Sequence, residues 1–152
     1  MDIEIKVYRG YSQELVDLIH SFEKQVFEQP YSKDKIKREC SAKHQLLALF
    51  AFVDGNPAGF KVGYEMTARL YYSWIGGVIP DFRGNGVARQ LMAQQHEMIK
   101  EMGYKVVRTH TENRFRNMLI LNLRSGFDIV GVTNEITKNK TIIVLDKVLN
   151  HT

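Results

Sequence analysis

Only one cysteine, Cys40, occurs in the chain, so no intramolecular disulfide can form and packing alone must hold the fold. That usage points to a reducing compartment, and the cytoplasm is the expected location. No apolar run approaches the roughly 20 residues that span a bilayer, and the opening Met1-Asp2-Ile3-Glu4-Ile5 lacks a basic stretch leading into an apolar one. Neither a membrane anchor nor a leader is therefore expected. Proline is scarce, with three in the chain, and no repeat, low-complexity tract or linker-like stretch interrupts it. One domain over residues 1–152 is the expectation, because separate domains usually need about 100 residues apiece. Excess charge is also small: 21 Lys and Arg against 17 Asp and Glu leave +4 at pH 7. These charges are scattered and form no recognisable nucleic-acid motif, so no nucleic-acid partner is expected and the field gives only a weak pull on anions.

What is present suffices for a core, with 44% apolar against 25% charged residues. Ile3, Ile5 and Val7 alternate with Glu4, Lys6 and Tyr8 as in a half-buried strand, which Gly10 breaks. Ser12 is placed to cap a helix over 12–28, whose Leu15, Leu18, Ile19, Phe22 and Val26 recur at helical spacing. Ser32-Lys33-Asp34-Lys35 opens a second short helix through Ile36 to Cys40. The apolar run from Leu46 to Val53, the turn signal Asp54-Gly55 and a strand from Ala58 to Met66 read as an antiparallel hairpin. Leu70 to Ile79 is the next strand, and its Gly76-Gly77 pair predicts a bulge or a close backbone approach. Helices are then predicted over 84–102 and 115–124, and strands over 105–111, 127–132 and 141–148, with the polar 133–141 as an exposed hairpin tip. Antiparallel hairpins combined with two crossover helices predict an α+β fold, a mixed sheet covered on both faces.

The segment that carries chemistry runs Val78-Ile79-Pro80-Asp81-Phe82-Arg83-Gly84-Asn85-Gly86-Val87-Ala88. A strand ends there, a glycine-bearing turn follows, and a helix starts. A helix N-terminus offers unpaired N–H groups and partial positive charge, so a phosphate placed on it accepts several hydrogen bonds at once. Gly84 and Gly86, lacking Cβ atoms, let the backbone approach a diphosphate. A P-loop would need Gly-Lys-Ser or Gly-Lys-Thr, and a dinucleotide fingerprint a third glycine where Arg89 stands.

From Val78 onward the chain resembles the GNAT superfamily of N-acetyltransferases. The cofactor motif of that family, Arg or Gln, two residues, Gly, one residue, then Gly or Ala, is matched by Arg83-Gly84-Asn85-Gly86-Val87-Ala88. Val78-Ile79-Pro80 fits its preceding Val-x-Pro, and Leu121, Gly126 and Phe127 fit a later Leu-x-x-x-x-Gly-Phe landmark. The resemblance implies a mixed, mostly antiparallel sheet of about six or seven strands flanked by about four helices. It also implies acetyl-CoA as co-substrate, attacked directly by a primary amine of a small molecule or peptide, with no metal. The diphosphate would rest on Arg83, Gly84, Asn85, Gly86, Val87 and Ala88. The pantetheine arm would lie where the strand before Pro80 diverges from its parallel neighbour, alongside Val78 and Ile79, with a main-chain amide near Val78 facing the thioester carbonyl.

Many relatives carry an acidic tyrosine where this chain has Asn122; a branch of the superfamily has asparagine there with a methionine four residues earlier, which Met118 matches. Its usual further asparagine is replaced by Phe115, flanked by Asn113 and Asn117, either of which could contact the cofactor or cap the helix, and Asn122 is a further candidate for cofactor contact. No carboxylate lies within Leu70 to Ile79, which leaves Tyr72, Glu65 and His110 as candidate catalytic groups, acting directly or through water. Glu14, Glu23, Glu28 and Glu65 are placed to draw a cationic acceptor or simply to wet the surface. Gln29-Pro30-Tyr31-Ser32 faintly resembles the same stretch of ribosomal-protein N-terminal acetyltransferases. Superfamily members often pair through their late strands, so a homodimer stands open. The competing reading is a non-catalytic acyl-CoA sensor of the same fold, for which missing acid and base residues would be natural.

Overall fold

Two opposite strand patterns decide where the helices can pack. The computed structural model describes residues 2–149. Its elements are β1 (Ile3–Arg9), α1 (Gln13–Val26), α2 (Lys33–Cys40), β2 (Leu47–Val53), β3 (Asn56–Glu65), β4 (Leu70–Val78), α3 (Val87–Glu101), β5 (Val106–Glu112), α4 (Arg116–Arg124), β6 (Asp128–Glu135) and β7 (Lys140–Val148). The strands form one sheet in the order β1-β2-β3-β4-β5-β7-β6, with β4 and β5 as its parallel pair. Among the described residues, no helix is long and apolar enough to cross a membrane.

The unbroken apolar run of β2 reflects burial on both sheet faces. Leu47, Leu49, Ala51 and Val53 share one core with Val87, Leu91, Met92 and Ile99 of α3 and with Tyr71, Val107 and Leu145. Ala48 and Phe50 share the other with Leu15, Val16, Ile19 and Phe22 of α1 and Ile36 of α2, beside Phe60 and Val62. Side chains of this size contribute about 1.5–3 kcal/mol each when fully buried. Both helices on this second face begin as their serines predict. The Ser12 hydroxyl accepts from the Leu15 amide at 3.1 Å, and the Ser32 hydroxyl from the Lys35 amide at 3.2 Å.

Two expectations need correction, and one open alternative is decided. The cofactor-side helix α3 starts at Val87 rather than 84, because residues 80–82 form a 3-10 turn and Gly84 and Gly86 stand at φ +79° and +81°, outside helical space. The bulge lies at Trp74, where the β3–β4 register passes from Val62↔Ile75 to Gly63↔Ser73. Gly76 and Gly77 serve close approach instead: a Cβ on Gly77 would fall 2.4 Å from Val26 Cγ1, and one on Gly76 2.8 Å from the Phe60 carbonyl oxygen. Finally, β6 extends to Glu135 and pairs it with Lys140, shrinking the hairpin tip to 136–139. Polar Thr133, Asn134 and Glu135 suit a strand here because β6 is a sheet edge open to water.

One topological detail positions everything that follows. β4 pairs with β5 only across Leu70–Ser73 and Val106–Thr109. Beyond Ser73, β4 continues to Val78 on β3 alone, while β5 continues to Glu112 on β7 alone. The parallel strands therefore part, and a gap opens between Trp74–Val78 and His110–Glu112.

Candidate functional site

At the end of β4 the chain turns through Pro80–Phe82 into an exposed loop, Arg83–Gly86, and then into α3. Among the described residues, the amides of Gly84, Asn85 and Gly86 find no protein acceptor, and the first helical bond runs from the Gln90 amide to the Gly86 carbonyl at 3.0 Å. Val87, Ala88 and Arg89 add the unpaired amides of a first helical turn. A run of free N–H groups thus surrounds one exposed point at the positive end of a 15-residue helix. Nothing lies within 4 Å of where a Cβ on Gly84 or Gly86 would sit, so the space over the loop is open. Asn85 braces the turn from within, its side-chain amide donating to the carbonyls of Phe82 and Arg83, each at 3.2 Å. Arg83 folds back, Nε donating to the Val78 carbonyl at 3.3 Å. A diphosphate fits this cradle: donors are free, glycines leave room, and no acidic side chain falls within Phe82–Gln90.

Beside the cradle, a cleft of about 510 Å³ runs between α3 and α4, lined by Arg89, Asn117, Ile120, Leu121, Arg124 and Ser125. Asn117, a candidate for cofactor contact, lines this cleft. Asn122 does not line this cleft and is buried, 4% exposed.

The gap between β4 and β5 continues from the cradle. The Ile79 amide donates to the Ala58 carbonyl at 2.8 Å. Because antiparallel partners alternate between bonded and non-bonded pairs, the main-chain groups of Val78 and Gly76 face away from β3, toward the gap. Val78 therefore offers its amide to an arm lying there, its carbonyl already accepting from Arg83, while the Ile79 amide is spent and its side chain is buried.

On the α1–α2 side of the gap lies a cluster of aromatic and acidic groups. Tyr72 and His110 face each other with ring centroids 4.9 Å apart. Tyr64 packs edge-on against Tyr72 at 5.5 Å and donates its hydroxyl proton to Glu39 Oε1 at 2.7 Å. Tyr31, from the α1–α2 loop, stacks on Trp74 at 6.0 Å with planes 1° apart. Burial, reinforced by Glu39 and Tyr31, pushes the Tyr72 hydroxyl up to about 12, so it keeps its proton at neutral pH. Burial also holds His110 below the ordinary histidine value, and Arg108 adds to this while Asp146 opposes it. His110 is thus neutral near pH 7 with a lone pair available.

Glu65 is not part of this cluster. Tyr64 faces α1, so its neighbour Glu65 faces the α3 side, where its carboxylate accepts from the Tyr104 hydroxyl at 2.8 Å. Strand alternation puts it on the opposite sheet face from Tyr72 and His110, the other two candidate groups. Tyr31, Glu39 and Tyr64 fall in the segments expected to supply the acceptor side, 12–40 and 63–72, but neither they nor Trp74 were named as site residues. For Trp74 the sequence did hold a signal, an aromatic residue two positions before a glycine pair. Glu39 and Tyr64 are 25 residues apart and meet only through packing of α2 on β3. Cys40 is fully buried, and burial pushes its thiol up to about 11. Among the described residues, no group of three or more His, Cys, Asp or Glu side chains is arranged to hold a metal ion.

Comparison with known proteins agrees with this fold. A family model described as the acetyltransferase (GNAT) family matches residues 12–121. No curated protein sequence matches the chain. Among solved structures, the ribosomal-protein-S18-alanine N-acetyltransferase of Escherichia coli is similar at a TM-score of 0.81 and 12% identity, covering 98% of this chain and 96% of that one. Ard1 of Thermoplasma volcanium is similar at 0.77 and 16% identity, covering 97% and 99%. The PaiA N-acetyltransferase of Thermoplasma acidophilum, solved with coenzyme A, is similar at 0.73 and 16% identity, covering 97% and 99%.

Proposed function

The chain belongs to the GNAT acetyltransferase family, and from that premise we propose that it transfers the acetyl group of acetyl-CoA, its co-substrate, to a primary amine of a small molecule or peptide. The observation that carries this reading is the pairing of two unlike half-sites across one gap. On one side stands an open cradle of amides at Gly84–Arg89; on the other, a neutral histidine beside a protonated tyrosine. Acetyl-CoA supplies an activated thioester, and every other requirement falls to this chain's residues.

The amides of Gly84 to Arg89 bind the diphosphate, and Arg89 and Asn117 line the adjoining cleft for the rest of the nucleotide. The main-chain groups of Gly76 and the amide of Val78 orient the arm along the gap. The amine attacks in its neutral form, His110 accepts the proton it sheds as the C–N bond forms, directly or through one water, for which a neutral imidazole is required, and the C–S bond breaks with CoA leaving as the thiolate. Tyr72 holds a hydrogen-bond donor beside it and, with Tyr64, Trp74 and Tyr31, excludes water from that wall. Burial, then Glu23, Glu39 and Glu112, disfavour ionisation of Tyr31, and the Glu39 and Glu112 carboxylates make the acceptor side attractive to a cation. An amine that is positively charged before it reacts and carries an apolar neighbour suits such a wall. Direct transfer is favoured because the lone thiol, Cys40, is buried in its protonated form and offers no nucleophile.

The test is CoA release from acetyl-CoA over a panel of small primary amines and free N-terminal peptides. Amine-dependent turnover supports the proposal. Tight acetyl-CoA binding with no turnover on any of them would replace it by the acyl-CoA sensor reading.

A further inference from the structure

A buried carboxyl that no cation neutralises calls for an explanation, and Glu23 is one. It sits on the inward stripe of α1, four residues after Ile19, with 1% of its surface exposed. Oε2 has no hydrogen-bond partner among the described residues. An apolar side chain there would pack against Phe22 and its neighbours without the cost of dehydrating a carboxyl. What Glu23 does contact is the loop: its Oε1 accepts from the Tyr31 amide at 3.4 Å. One helical turn earlier, His20 Nδ1 lies 3.0 Å from the Tyr31 carbonyl oxygen. Since that oxygen only accepts, Nδ1 carries the proton. Two side chains at i and i+3 of one helix thus grip both polar groups of a single residue in the next loop.

Tyr31 itself is 41% exposed, so burial alone does not fix it. Its ring nevertheless lies parallel to Trp74 at the mouth of the gap. An exposed ring on an irregular loop keeps one orientation only if its backbone is fixed.

We propose that Glu23 and His20 are positioning residues that clamp the Tyr31 peptide and so hold the Tyr31 ring against Trp74 as a wall of the acceptor site. The link to acceptor binding rests on the function proposed above; the clamp itself does not. Neither residue touches the reacting atoms. Their effect is on how well the acceptor side is formed before the amine arrives, and therefore on amine KM rather than on kcat.

Trp74 is the only tryptophan in the chain, which makes its emission a direct report on the stacked ring. The experiment compares Glu23→Leu, Glu23→Gln, His20→Ala and Tyr31→Ala by tryptophan fluorescence, calorimetric acetyl-CoA binding and amine kinetics. Glu23→Leu and His20→Ala should each shift Trp74 emission toward that of Tyr31→Ala. Each should raise amine KM about tenfold, the equivalent of one lost hydrogen bond, with kcat and acetyl-CoA affinity within about twofold of the parent. Glu23→Gln keeps the accepting oxygen and should restore both readouts. If Glu23→Leu does not fold, His20→Ala on the half-buried outer side of the helix decides alone. Emission and KM unchanged in the folded variants would overturn the clamp. An emission change with no amine turnover in any protein, the parent included, would uphold the clamp and remove the acceptor-site reading instead.

Discussion

Substituting Gly86 is the sharpest test of the cofactor cradle, because the structure separates two effects that such a change usually mixes. Gly86 caps α3 in the left-handed region, φ +81° and ψ 9°. Alanine there is strained by roughly 1–2 kcal/mol, and valine by more, since its branched Cβ suits that region least. No atom lies within 4 Å of the added Cβ, so the free protein suffers strain without collision. For a domain of this size that strain lowers Tm by about 2–8 °C. The binding effect has a different origin. Relaxing φ to negative values turns the Gly86 amide and its neighbours away from the point they share. Losing even one hydrogen bond to a charged phosphate costs about 1.5–3 kcal/mol, which weakens binding about 10- to 100-fold. Gly10 supplies a matched control: it too has φ +81° and nothing within 4 Å of an added Cβ, but it joins β1 to α1. Calorimetric titration of CoA and acetyl-CoA into Gly86→Ala, Gly86→Val and Gly10→Ala reads out the difference. All three should melt earlier than the parent, while only the Gly86 variants lose affinity, valine more than alanine. Equal Kd values for Gly86→Val and the parent would refute the placement of the diphosphate.

If His110 is the base, kcat/KM for the amine should fall as pH drops through a pKa below the ordinary histidine value of 6.5, and His110→Ala should lose about 100-fold and that limb of the profile. Two buried groups give opposite pH effects on stability, measurable as Tm against pH. Burial raises Glu23 from 4.5 to about 7, partly offset by the Tyr31 amide, so the native state holds a proton that the unfolded chain releases. Its stabilisation is full below about pH 4.5 and is lost as pH rises toward 7, by up to about 3 kcal/mol, and Glu23→Gln should abolish that slope. Burial, with Lys61 and Lys147 adding to it, lowers His96 from 6.5 to about 3. The unfolded chain therefore takes up the proton first, so stability present above 6.5 is lost as pH falls toward 3, by up to about 5 kcal/mol, and His96→Gln should flatten this acid limb. In the parent these slopes oppose each other between about 4.5 and 6.5, and only the single variants reveal either.

Much of the fold could be read from local signals. Asp54-Gly55 announces its hairpin because both residues adopt positive φ, 51° and 83°. Ser12 and Ser32 announce helices because each hydroxyl meets the amide three residues on. Of the two readings open for Gly76-Gly77, a bulge or a close approach, the close approach holds, and the bulge lies elsewhere. Gly76-Gly77 draws the eye, yet the register slips opposite the lone Gly63, where a Cβ would fall 2.5 Å from Tyr71 Cε2 and 2.7 Å from the Tyr72 carbonyl. A strand's irregularity is set by its neighbour, and the neighbour is not adjacent in sequence. Glu23 shows the converse, a signal present but read as surface charge. Its place four residues after Ile19 puts it on the buried stripe of α1, and the periodicity alone could have marked it as an acid with a task.

The two halves of the candidate site differ in the same way, and the difference has a physical cause. A diphosphate is recognised by main-chain amides, so the requirement falls on consecutive residues that shape one turn, and Arg83 to Ala88 display it as a motif. An amine is recognised by side chains placed around a point, and here they come from the α1–α2 loop, α2, β3, β4 and β5: Tyr31, Glu39, Tyr64, Tyr72 with Trp74, and His110. No spacing rule joins those five segments, because each position is constrained only by its own element. What joins them is the parting of β4 from β5 after Ser73, a gap in the strand pairing with the amide cradle following the end of β4 and this cluster on one face. Substitutions in the cluster should therefore change which amine is accepted while leaving acetyl-CoA affinity intact. Tyr64→Phe, which removes only the hydroxyl bonded to Glu39, should alter amine KM and leave the acetyl-CoA Kd within about twofold. A parallel change in both constants would mean that the two half-sites are not separable, and that the gap between them transmits more than the substrate's own length.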